Sequence, residues 1–209
     1  MSKTPERSRT HGNLANRVAD KKWARLLEKA SGSPIERATE RHTVYLLLDC
    51  SASMGGDKIC QARKGGIAFA TDAGKNGYTT GVISFASEAV HRLDPQQQLA
   101  GILEALEGLT PRGSTNLADA IELAVDRLPE KCGVRALCIV TDGMPDNEHA
   151  ALVAAARAKQ AGIEILVIGT DDADHEFLKK IATRKDLAIR VAAHQLTAGI
   201  SSAARLLTS

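Results

Sequence analysis

From Thr43 onward, short runs of apolar and β-branched residues alternate with longer stretches whose apolar positions recur every three or four residues. The short runs predict strands at 43–49 (TVYLLLD), 79–85 (TTGVISF), 89–94 (AVHRLD), 136–142 (ALCIVTD), 163–170 (IEILVIGT) and 188–192 (AIRVA). The longer stretches predict helices near 57–75, 96–107, 116–129, 147–161, 174–183 and 195–207. Several strands are apolar on consecutive residues, which implies burial on both faces and a largely parallel sheet covered by helices. Only Ala86–Glu88 separates the second strand from the third. That connection is too short for a parallel crossover, so these two form an antiparallel pair at one edge. The expected fold is α/β: a doubly wound six-stranded sheet of order 3-2-1-4-5-6, whose ligands sit beyond the carboxyl ends of the strands.

The first forty residues differ from this pattern. Residues 13–31 predict a basic amphipathic helix with Ala15, Ala19, Trp23, Leu26, Leu27 and Ala30 on one face, capped by Asn13 and stopped by Gly32 and Pro34. Ser33 and Glu36 have capping-box spacing for a short second helix. Residues 1–41 hold ten Lys and Arg against five Asp and Glu, a net of +5, and the rest of the chain is −3. The expected organisation is a basic helical extension over 1–40 and one domain over 41–209. Docking of the arm, on its own domain or on a partner, is favoured over nucleic-acid binding, because Trp23 is its sole stacking aromatic.

Composition narrows the classes further. An apolar fraction of 44% supports a packed core, built on aliphatic residues because aromatics make up 3%. No apolar run approaches the roughly 20 residues that cross a bilayer, and the polar N-terminus has no secretory h-region, so a cytoplasmic protein is expected. Cys50, Cys60, Cys132 and Cys138 lack C-x-x-C spacing and read as small reduced hydrophobes; the six His show no ligand spacing.

Candidate chemistry gathers at the strand ends. Asp49 closes the first strand, and Ser51 and Ser53 follow at alternate positions before Gly55 and Gly56. Thr115 lies in a Gly-containing loop just ahead of a helix. Thr141 and Asp142 end the fourth strand, before a Gly turn. First and fourth strands are neighbours in a doubly wound sheet, so these pieces converge on one rim. From about Arg41 to its end the chain resembles a von Willebrand factor type A domain of the intracellular microbial type. The metal-ion-dependent adhesion site of that family is D-x-S-x-S … T … D, filled here by Asp49, Ser51, Ser53, Thr115 and Asp142.

Two carboxylates and three hydroxyls are hard oxygen ligands, suited to Mg²⁺, with Mn²⁺ or Ca²⁺ as substitutes. The resemblance implies a metal left short of one ligand, which a Glu or Asp of a protein partner completes. It also implies an adaptor and not an enzyme, working beside a partner such as an AAA+ ATPase or an operon-encoded enzyme. A phosphohydrolase is the competing reading, but it needs a second acid two positions after Asp49, where Ser51 stands. Neither G-x-G-x-x-G, nor the P-loop, nor G-x-S-x-G is present. Asp57 reads as a first-turn helix acid, Asp171, Asp172 and Asp174 as a turn and cap, and Asp146 and Asn147 as the start of a helix.

Overall fold

The computed structural model describes residues 42–128 and 133–208. The predicted N-terminal helices, Trp23 and Cys132 lie outside the described residues. The strands are β1 (His42–Asp49), β2 (Tyr78–Phe85), β3 (Ala89–Gln96), β4 (Arg135–Thr141), β5 (Ile163–Gly169) and β6 (Ala188–Arg190). The helices are α1 (Asp57–Lys75), α2 (Leu99–Glu107), α3 (Leu117–Arg127), α4 (Glu148–Gln160), α5 (His175–Ile181) and α6 (Leu196–Ala203). None of the described helices is long and apolar enough to cross a membrane.

The sheet order is β3-β2-β1-β4-β5-β6, with β2–β3 antiparallel and every other pair parallel, as the strand pattern predicts. Consecutive apolar residues in β1 are there because both faces are covered: Val44 through Leu48 are all fully buried. Each such side chain contributes about 1.5–3 kcal/mol on burial. Helix α1 packs with α2 and α6, whereas α3 packs with α4 and α4 with α5. Small residues make the close approaches. Ala151, Ala154, Ala155 and Ala158 line the buried side of α4.

Several boundaries differ from the periodicity. β3 runs on through Pro95 to Gln96, with a register shift between Val82 and Thr80 on its partner. An edge strand at an irregularity tolerates the missing N–H. β6 stops at Arg190, and the C-terminal helix tightens into a 3-10 turn over Ala204–Thr208. Asp142 stands one residue beyond β4 instead of inside it.

Candidate metal centre

β1 and β4 run side by side with Leu48 opposite Val140, so the next residues, Asp49 and Thr141, meet at the carboxyl rim. The Thr141 hydroxyl donates to Asp49 Oδ2 at 2.6 Å, and the Ser51 amide donates to Asp49 Oδ1 at 2.8 Å. A 3-10 turn over Ala52–Met54, pinned by the fully buried Met54, curls the chain back on itself. The curl brings Ser51 Oγ within 3.0 Å of Ser53 Oγ, and Ser53 Oγ donates to Asp142 Oδ1 at 2.8 Å. Four of the five predicted ligands thus form one polar cluster, although 89 positions separate Ser53 from Asp142.

Thr115 arrives on a separate loop held against the cluster by backbone bonds. Arg112 N donates to Cys50 O at 2.7 Å, and Ala52 N donates to Gly113 O at 3.1 Å. Gly113 has φ 73°, and a Cβ there would stand 2.4 Å from Ser87 Oγ, so both conformation and space demand glycine. Thr115 is buried, and its hydroxyl is not a member of the Ser51–Ser53–Asp142 chain. Its main chain is clamped by Asp146, whose Oδ1 accepts from Thr115 N at 3.0 Å and whose own amide donates to Thr115 O at 2.9 Å. Asp146 Oδ2 also accepts from the Ser114 hydroxyl at 2.5 Å.

The electrostatics of the two acids differ. Asp49 has no solvent exposure, and its hydrogen-bond partners are the neutral groups of Ser51 and Thr141. Burial raises its pKa; the hydroxyl and amide bonds oppose the shift, and the nearby Asp142 charge adds to it. Asp142 has a cation of its own. Lys58 Nζ stands 2.7 Å from Asp142 Oδ2 and 2.8 Å from Asp172 Oδ2. Burial works against the Lys58 ammonium, but its bonds to Asp142 and Asp172 prevail and raise its pKa. Lys58 was not singled out by motif reading, and only one local signal marks it. A lysine in the first turn of α1 opposes the helix dipole unless acids hold it there.

A buried carboxylate without a cation is costly, and a divalent ion is the natural remedy. The donor set around Asp49 consists of carboxylate and hydroxyl oxygens, which fits a hard cation. Among the described residues no three of His, Cys, Asp and Glu gather in a metal-binding group. Any metal at this rim would therefore draw on hydroxyl oxygens as well as on carboxylates. Gly56, the residue before α1, has φ 71°, a turn conformation that glycine adopts without strain. Asp174 caps α5, Asn147 caps α4 and Asp57 opens α1, as predicted. Burial and the neighbouring Asp49 push the Cys50 thiol up to about 12, which keeps it protonated and unreactive.

Comparisons with known proteins agree with this fold. The family model described as von Willebrand factor type A domain matches residues 43–202. Chicken (Gallus gallus) matrilin-1 is 32% identical over 124 residues, which is 54% of this chain and 25% of matrilin-1, so the match spans a quarter of that relative. The vWF domain of the type V pili tip protein Mfa5 from Porphyromonas gingivalis superposes with a TM-score of 0.72 at 15% identity, over 81% of this chain and 95% of that one. Proximal thread matrix protein 1 from the mussel byssus, solved with a zinc-occupied metal-ion-dependent adhesion motif, gives 0.66 at 18% identity, over 81% and 46%. At these identities the two structures establish the fold alone.

Proposed function

The chain belongs to the von Willebrand factor type A domain family, and from that premise we propose that it is a divalent-metal-dependent protein-binding module. Domains of this family are often metal-dependent protein–protein interaction or adhesion modules. The metal ligands are Asp49, Ser51, Ser53, Thr115 and Asp142, as a complete adhesion motif. The bound ion supplies a Lewis-acidic anchor for an acidic side chain of the partner. The observation that carries this reading is Asp49: a carboxylate without solvent exposure, adjoining the linked Ser51 and Ser53 hydroxyls and a second acid, with no basic group among its own partners.

The remaining roles follow from the chain's own groups. Thr141 and the Ser51 amide hold both oxygens of Asp49 in place. Lys58 holds the far oxygen of Asp142, which leaves Oδ1 on the hydroxyl side of the cluster. Asp146 holds the Thr115 loop. Mg²⁺ is the proposed ion, because its preference for oxygen and retained water suits a site with two carboxylates. Zinc in the mussel protein's motif supports a divalent ion at such a site. Binding and not catalysis is proposed, since Ser51 occupies the position where a phosphohydrolase carries its acid/base.

The partner proposed is a protein that offers a Glu or Asp, such as an AAA+ ATPase or an operon-encoded enzyme, met in the cytoplasm. Residues 1–40 are proposed as a separate basic extension to the domain at 41–209. The test is affinity capture with wild-type chain in Mg²⁺, wild-type chain in EDTA, and Asp49→Ala in Mg²⁺. A partner retained only in the first arm supports the proposal. A partner retained equally in all three contradicts it.

A further inference from the structure

Beside the metal cluster, on the β3 side of the rim, lies a cavity of about 300 Å³. That is the small end of ligand pockets and enough for one long side chain. Its walls come from the β2–β3 turn, the outer face of β3 and the loop before α3, and they include Cys50, Ser84, Glu88, Arg92, Arg112 and Gly113. Two of these residues tie it to the metal cluster. Cys50 sits between Asp49 and Ser51, and Gly113 O accepts from Ala52 N. The cavity and the cluster therefore share one wall.

The charge of this wall is opposite to that of the domain around it. Arg92 and Arg112 face one acid, Glu88, and neither arginine forms an ion pair with an acid among the described residues. Arg92 is already oriented: its Nε donates to the buried Ser84 Oγ at 2.8 Å, which leaves its terminal nitrogens for another acceptor. The Arg112 amide is fixed on Cys50 O, so its side chain departs from a point held against the metal loop. Planar guanidinium groups in this setting match a carboxylate, which they bind with paired hydrogen bonds.

We propose that the Arg92–Arg112 cavity takes a second carboxylate of the same partner segment, so that the domain recognises a di-acidic peptide. The inference rests on the metal reading for the first carboxylate. Once that acid is held, the second reaches the arginines as an intramolecular event at high effective concentration. The single acid supplies capture, and the second supplies selection among acidic partners.

The probes are acetylated, amidated hexapeptides with one glutamate, or with two glutamates one to three residues apart. Calorimetry in Mg²⁺ is expected to show one two-glutamate spacing binding roughly tenfold tighter than the single-glutamate peptide. Arg92→Gln and Arg112→Gln, both at exposed positions, should each erode that advantage, and the double variant should abolish it, with Mg²⁺ affinity as in wild type. In EDTA, the two-glutamate peptide at high concentration should still shift the side-chain NMR signals of Arg92 and Arg112. The inference is overturned if no spacing exceeds the single-glutamate peptide in Mg²⁺ and neither arginine signal moves in EDTA. Moving arginine signals together with an Mg²⁺ titration indifferent to Asp49→Ala would keep the cavity and remove the metal reading. Still arginine signals with Asp49-dependent, single-glutamate binding would do the reverse.

Discussion

Lys58 and Asp142 are bound at 2.7 Å across 84 positions of chain, and the other oxygen of the same carboxylate holds Ser53. The ammonium thus fixes one end of Asp142 while the other faces the hydroxyls of the polar cluster. It also offsets one of the two negative charges that a cation would meet.

Lys58→Met should separate those two effects. Without metal, the variant leaves the unexposed Asp142 carboxylate unpaired, and a loss of about 1–3 kcal/mol is expected. With saturating Mg²⁺ the loss should shrink, because a positive neighbour of the ion has gone. Thermal unfolding in EDTA and in Mg²⁺ measures both: the Mg²⁺-induced rise in Tm should be larger for Lys58→Met than for wild type.

Asp49→Asn tests the buried carboxylate in metal-free protein. The Asp49 pKa is raised in the folded state, so ionising it opposes folding. Its favourable contribution is present at acid pH and is lost as pH rises through the raised value. Asn retains the shape, and the Thr141 hydroxyl can turn to accept from it. At neutral pH in EDTA the variant should be more stable than wild type by about 1–3 kcal/mol, and the gap should close toward acid pH. Urea unfolding across pH checks the sign.

The Thr115 loop gives a third prediction. Asp146→Ala removes acceptors for Thr115 N and Ser114 Oγ, and a stability loss of about 1–2 kcal/mol is expected. Thr115→Ala removes only the neutral member of the proposed ligand set on this loop, so it should weaken partner binding more than Mg²⁺ binding. Parallel calorimetry with metal and with an acidic peptide distinguishes the two variants.

Much of this architecture was legible because β1, β4 and β5 are uninterrupted apolar runs and because the three residues between β2 and β3 permit one connection only. The gathering of four candidate residues was legible for a similar reason: Asp49, Ser51 and Ser53 are local, and strand order alone brings Asp142 beside them. Lys58 and Asp146 were not visible in the same way. Their partners lie far along the chain or on another loop, and a lysine or an aspartate near a helix start has many ordinary explanations. Pro95 hid the end of β3, since a proline argues against a strand until its edge position and register shift are known. The pairing of Arg92 with Arg112 beside the rim depends on loop packing, which no periodicity encodes.

The most direct test of the central claim is a calorimetric Mg²⁺ titration of metal-free wild-type chain and of Asp49→Ala, with folding of both checked by circular dichroism. The account predicts one saturable site in wild type and none in the folded variant, since the variant lacks the buried carboxylate that calls for the ion. Equal Mg²⁺ binding by the two proteins, or none by either, would contradict it.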